Sequence, residues 1–188
     1  MCARLISIRC GMRCKAQKLA APVIGTLADM ICCPGLDFCS LANASSISIA
    51  QQINEKFDQL DYLYDLGEIR LNMSGCMNAC GHHHVGHIGI LGVDKKGEEW
   101  YQISLGGSSE NDVSLGDILG PSVPKTEVAN TLERILRVYV EQREDGERFL
   151  DTFRRIGLEP FRAGPIRQPG SASSGREQEA ERLCDVGY

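Results

Sequence analysis

Ser74-Gly75-Cys76-Met77-Asn78-Ala79-Cys80-Gly81-His82-His83-His84 is the stretch around which this chain is organised. Its two thiols have a counterpart pair upstream, in Cys33-Pro34-Gly35-Leu36-Asp37-Phe38-Cys39. A C-x5-C is followed, one helix and one strand later, by a C-x3-C. Four cysteine thiolates brought together are what a [4Fe–4S] cube requires. Both pairs fall in glycine-bearing loops at expected strand ends, where the backbone can bend sharply and thiols and N–H groups can approach one inorganic object. Gly75 and Gly81 flank the second pair and are expected to leave open room beside Cys80.

Plainer readings stand beside the cube. Unpaired cysteines are among the most buried residue types and can act as small core hydrophobes. A structural zinc could use cysteines with one of His82, His83, His84 or His87, although zinc pairs are usually spaced C-x2–4-C. Three consecutive histidines cannot all face one ion in regular structure. They read mainly as packing and hydrogen-bonding groups, with anion binding or proton supply as the sharper alternative. Cys32 and Cys33 are neighbours on an expected extended segment, so only one of them faces a given metal. Cys10-Gly-Met-Arg-Cys14 repeats the C-x3-C spacing without a partner pair at short range and reads as incidental, as does Cys184.

Composition narrows the class. A chain of 188 residues can bury a core of its own. Its formal net charge of -5 argues against a general nucleic-acid binder, whose domain carries a basic face. No apolar run approaches the roughly 20 residues that span a bilayer, so no membrane role is expected. Nine cysteines would fit a secreted disulfide framework, but the count is odd and the opening has no apolar signal region. That opening is basic, with no acidic residue before Asp29, a faint likeness to a mitochondrial presequence. The expectation is a cytoplasmic protein with reduced thiols and an irregular N-terminal segment over residues 1–21.

Hydrophobic periodicity places the loops. Val23 to Ile31 reads as a strand leading into the first cysteine pair. Ile49, Ile53 and Phe57 recur at helical spacing, and Leu60 to Leu66 reads as a further helical turn stopped by Gly67. Glu68 to Met73 alternates like a strand and runs into the second pair. Ile88–Val93 and Glu99–Leu105 bracket Asp94-Lys-Lys-Gly97 as a hairpin. Pro124 is expected in the first turn of a helix whose stripe is Val128, Leu132, Ile135 and Tyr139. Gly146 ends it, and a shorter helix follows from Glu147 to Ile156. Gly, Pro, Ser and charged residues dominate 163–188, which reads as a disordered tail. The class expected is α+β, a mixed or antiparallel sheet with flanking helices, over residues 22–162.

Cys33-Pro-Gly-Leu-Asp-Phe-Cys39 with Leu41-Ala-Asn43, then Ser74-Gly-Cys76-Met-Asn-Ala-Cys80-Gly and Ile88-Gly-Ile-Leu-Gly92, resembles the sulfite and nitrite reductase haemoproteins. The run Arg148 to Phe161 is similar to the end of the bacterial sulfite reductase branch. The resemblance covers roughly residues 25–161, the C-terminal half of that family's usual chain. It implies a [4Fe–4S] cluster coupled to a siroheme. Cys33, Cys39, Cys76 and Cys80 would hold the cluster, and Cys80 would also be the axial ligand of the siroheme iron. Asn78 is a candidate donor to the cluster sulfurs. The implied activity is reduction of sulfite to sulfide, or of nitrite, with a flavoprotein or ferredoxin as electron donor. Met77 stands where many members have Pro. The half that would supply cationic residues to siroheme and substrate is absent from the match, so the expectation is a part that works only with that half. A non-catalytic iron–sulfur electron-transfer module is the alternative.

Overall fold

The computed structural model describes residues 2–17 and 22–163, with the side chains of residues 2–6 left aside. The strands are β1 (Ile31–Cys32), β2 (Leu71–Ser74), β3 (Ile88–Lys95), β4 (Glu98–Leu105), β5 (Asp117–Ile118) and β6 (Val123–Pro124). The helices are α1 (Cys2–Ala16), α2 (Ile47–Lys56), α3 (Leu60–Leu66), α4 (Val128–Gln142), α5 (Phe149–Ile156) and α6 (Glu159–Ala163). The strands form a six-stranded sheet in the order β1-β2-β3-β4-β5, with β6 also pairing β4. β1, β2 and β3 run parallel, whereas β4 is antiparallel to β3, β5 and β6. This is the α+β class with a mixed sheet and flanking helices.

The two faces of the sheet differ in chemistry. Leu71 and Met73 on β2, Ile88 and Ile90 on β3, and Tyr101, Ile103 and Leu105 on β4 are in register and belong to one core. α2 supplies Ile49 and Ile53 to that core, and α4 supplies Val128, Leu132, Ile135, Leu136 and Tyr139. Burying such side chains contributes roughly 1.5–3 kcal/mol each. The opposite face presents Asn72, Ser74, Gly89 and Ser104, which are small or polar. Among the described residues, the only helical turn that packs there is the 3-10 turn His83–Val85. Residues 75–87, which link two parallel strands, return along this face and need small neighbours.

The hairpin turns on Lys96 and Gly97, both with positive φ (60° and 84°), the backbone of a two-residue turn whose twist suits the strands. Gly67, with φ 71°, stops α3 as expected.

Four expectations need correction. Residues 23–30 are turns, and the strand is only Ile31–Cys32, because Val23 and Met30 pack on the core without an edge to pair with. Residues 2–16 form α1 instead of an irregular segment. Leu, Met, Arg, Lys and Ala favour helix intrinsically, and none of its described side chains is buried, so propensity rather than packing sets its state. Pro124 closes β6 and precedes a 3-10 turn, with α4 starting at Val128. Ala163, placed in the tail, ends α6. The rest of the tail, with Cys184, lies outside the described residues.

Candidate metal centre

Parallel pairing of β1 with β2 sets Ile31 beside Asn72 and Cys32 beside Met73. Both cysteine loops therefore leave the sheet side by side, at the carboxyl ends of neighbouring parallel strands. The Cys33 N–H continues the ladder by donating to Met73 O at 3.1 Å. Alternation then separates the adjacent thiols. Cys32 packs against the core and its Sγ donates to the Cys33 carbonyl at 3.2 Å, while burial, then Cys33 and Asp37, push its thiol up to about 11. Cys33 Sγ faces the second loop, where it accepts the Gly75 N–H at 3.0 Å and lies 3.7 Å from Ser46 Oγ.

The loops interlock through backbone. Gly75 O accepts from Asn43 N at 2.9 Å and Ala44 N at 3.1 Å, while Ala44 O accepts Leu36 N–H at 3.2 Å. Cys39 N–H donates to Gly35 O at 2.9 Å, which closes the turn between the first two cysteines. A Cβ on Gly75 would stand 2.8 Å from Ala44 O and 2.9 Å from Gly35 Cα. Glycine is required there by the approach of one loop to the other.

The second loop is held on β2. Gly81 N–H donates to Ser74 Oγ at 3.1 Å, and Asn72 Nδ2 donates to His82 O at 3.1 Å. The expected open room beside Cys80 is absent at Gly81, where a Cβ would lie 1.9 Å from Met73 O. That glycine serves strand contact and does not make space for a ligand. Ala79 and His82 both have left-handed backbone, at φ 55° and 51°, so the chain coils tightly between Cys76 and the histidines.

Of the four thiols, Cys76 is buried, Cys33 and Cys39 are half-buried, and Cys80 is exposed; all four are free. Among the described residues no group of three or more His, Cys, Asp or Glu side chains closes on a single metal ion. A cube presents four separate irons, each taking one thiolate, so its ligands stand around it and do not meet at a point. The donor set fits such a group. It offers four unpaired sulfurs on two interlocked loops and an N–H already aimed at one of them. Apolar side chains also stand exposed on these loops, at Leu36, Phe38, Leu41 and Met77.

Asn78 is exposed and makes no hydrogen bond to a cysteine sulfur; among the described residues Gly75 N–H and Ser46 Oγ reach Cys33. The histidines are packing groups in part. His83 and His84 meet edge to face at 5.4 Å, and His83 Nδ1 is buried without a partner. Burial, then His84, lowers the His83 pKa. Cys10 and Cys14 are remote in the chain, on α1, Cys10 exposed and Cys14 half-buried.

One contributor escaped sequence reading. Glu99 binds Ser45 between the loops, and its signal was phase: it shares the inward face of β4 with Tyr101, Ile103 and Leu105, where a charge is out of place.

Over residues 25–166 the sequence matches the model of a known family: the chain belongs to the nitrite and sulphite reductase 4Fe-4S domain family. Among its relatives, the NADPH sulfite reductase hemoprotein beta-component of Bacillus licheniformis is 31% identical over 130 residues, 68% of this chain and 22% of that protein. The ferredoxin sulfite reductase 2 of Mycolicibacterium paratuberculosis is 31% identical over 131 residues, 64% of this chain and 23% of that protein. In structure the chain resembles the Mycobacterium tuberculosis NirA protein, with TM-score 0.62 and 28% identity over 71% of this chain and 26% of the other. Dissimilatory sulfite reductase I shares the fold, with TM-score 0.59 and 14% identity over 81% of this chain and 57% of the other. The chain thus spans less than a quarter of the length of these two sulfite reductases.

Proposed function

We propose that this chain is the cluster- and siroheme-ligating part of a sulfite reductase haemoprotein that reduces sulfite to sulfide. Nitrite is the other anion that the family name covers. Residues 22–162 would form the domain, with Cys33, Cys39, Cys76 and Cys80 holding a [4Fe–4S] cluster and Cys80 also ligating the siroheme iron. The observation that supports it most is the interlocking of the two cysteine loops at Gly75, whose N–H reaches Cys33 Sγ at 3.0 Å.

Cluster and siroheme, once bound, supply the electrons and the iron at which the anion is reduced. The chain's own contributions follow from its residues. Gly75 N–H places a positive dipole at the Cys33 sulfur, and the Ser46 hydroxyl 3.7 Å away would donate to that sulfur once it is a cluster ligand; such hydrogen bonds set a cluster's potential. Cys76 is buried, so a ligand bond made there would be shielded from water. Cys80, exposed, is the thiol that a macrocycle can reach from outside. Phe38, Leu41 and Met77, exposed on the same two loops, would offer apolar surface to such a group. Cationic groups that would stabilise developing negative charge on the anion are supplied, in this reading, by the remaining length that the relatives possess. The electron donor would be a flavoprotein or a ferredoxin; NADPH and ferredoxin are named in the relatives' own names.

The test is co-production of the chain with siroheme supply and with the complementary portion of a relative. Haem absorbance bands together with about four cluster irons support the proposal. Iron and sulfide without tetrapyrrole would assign an electron-transfer module instead. Zinc without iron would overturn both.

A further inference from the structure

A carboxylate on the far hairpin strand holds the bend that joins the two cysteine loops. Glu99 Oε2 accepts the Ser45 N–H at 2.6 Å and the Ser45 hydroxyl at 2.5 Å. Lys125 Nζ donates to Glu99 Oε1 at 3.2 Å and to Ser45 Oγ at 2.9 Å. The Tyr101 hydroxyl lies 2.7 Å from Ser45 O and 2.9 Å from Glu99 Oε2, and shares its one proton between them. Ser45 is thus gripped at its N–H, its hydroxyl and its carbonyl. Burial works to raise the Glu99 pKa, yet the donors outweigh it and hold the carboxyl down to about 2.

What Ser45 joins gives the grip its meaning. On one side Ala44 donates to Gly75 O and accepts from Leu36 N–H, tying the second loop to the first. On the other side Ser46 places its hydroxyl 3.7 Å from Cys33 Sγ. Ala44, Ser45 and Ser46 are all buried. A bend needing only satisfied backbone groups could use water; this one uses a charged pair whose side chains are 29% (Glu99) and 34% (Lys125) exposed. The backbone at residues 44–46 is therefore fixed from outside the loops.

We propose that Glu99 is a positioning residue for the four-thiol site: with Lys125 and Tyr101 it fixes residues 44–46, and through them the Gly75 N–H on the Cys33 sulfur. Its bearing on a cluster rests on the functional reading above; its bearing on Cys33 does not.

The test uses the full chain and two readouts. In the metal-free protein, alkylation of each cysteine by iodoacetamide is followed by peptide mass spectrometry. Glu99→Gln is expected to change the rate of Cys33 modification about tenfold, the order of effect of a lost charge-assisted hydrogen bond, with Cys32 and Cys76 unchanged. Lys125→Met, which leaves the carboxylate on Ser45, is expected to produce a smaller change at the same cysteine and serves if Glu99→Gln does not fold. Glu98→Gln, an exposed neighbour on the same strand, is expected to change nothing. In protein reconstituted with iron and sulfide, Glu99→Gln is expected to change the electron paramagnetic resonance spectrum of the reduced cluster, and Glu98→Gln is not. A uniform change across all cysteines, or a lower melting temperature with an unaltered cysteine profile and spectrum, would show a merely structural residue and overturn the proposal. If the wild type takes up no iron, the cluster reading fails while the alkylation comparison still decides the role of Glu99.

Discussion

The peptide N–H of Gly75 meets the sulfur of Cys33 at 3.0 Å across a sequence separation of 42 residues. The same glycine accepts two N–H bonds from residues 43 and 44 through its carbonyl. Adding a methyl at Gly75 would press on Ala44 O and Gly35 Cα, both backbone, which cannot rotate aside. Gly75→Ala is expected to cost about 1–3 kcal/mol in urea unfolding and to reduce iron uptake more than any substitution in the tail. Unchanged stability would show that the loops have slack there.

Two neighbours in the second loop should respond with opposite signs. Ala79 carries a side chain in left-handed backbone at φ 55°, a conformation that costs a non-glycine residue roughly 1–2 kcal/mol. Ala79→Gly is therefore expected to be neutral to slightly stabilising. Gly81→Ala would place a Cβ 1.9 Å from Met73 O and is expected to destabilise by ~3 kcal/mol or more. Thermal melts of the two variants check the contrast, which like signs would contradict.

Both cysteine pairs, α2, α3 and the hairpin were legible because each is specified locally. Spacing brings the thiols into loops, Ile49 and Ile53 share a helix face, and Lys96-Gly97 lies between alternating runs. What could not be read depends on partners distant in sequence. β1 shrinks to two residues because only Ile31 and Cys32 find β2 beside them. The role of Gly81 is fixed by Met73, and that of Glu99 by Ser45, a pairing across a sequence separation of 54 residues. The exposed helix α1 has no apolar stripe, so periodicity had nothing to detect.

His87 ties stability to pH. It is buried, its Nδ1 accepts the Arg70 N–H at 3.2 Å, and burial is the largest of the causes that lower its pKa, with Glu68, Arg70, Glu110 and Arg148 acting in both directions. A lowered folded pKa means that the unfolded chain binds the proton first. The contribution of His87 is therefore complete above its ordinary value of 6.5 and is lost as pH falls from there through the folded value. Unfolding free energy measured between about pH 7.5 and 5 is expected to decline, and His87→Gln to flatten that decline. An equal slope in the variant would assign the effect elsewhere.

Tyr139 links the helical layer to the turns at either side. Its hydroxyl lies 3.1 Å from Leu66 O and 2.9 Å from Glu147 O, and its ring meets Phe149 at 5.4 Å. Tyr139→Phe keeps the ring contacts and leaves buried carbonyls short of a donor. The expected loss is about 1–2 kcal/mol in chemical denaturation, and no loss would mean that water replaces the hydroxyl.

The most direct measurement is iron and acid-labile sulfide per chain after anaerobic reconstitution, in the wild type and in single Cys→Ser variants. About four irons are expected in the wild type, with marked loss on substitution of Cys33, Cys39, Cys76 or Cys80 and none on substitution of Cys32. Iron retained without Cys39 or Cys76, or lost equally without Cys32, would contradict the account.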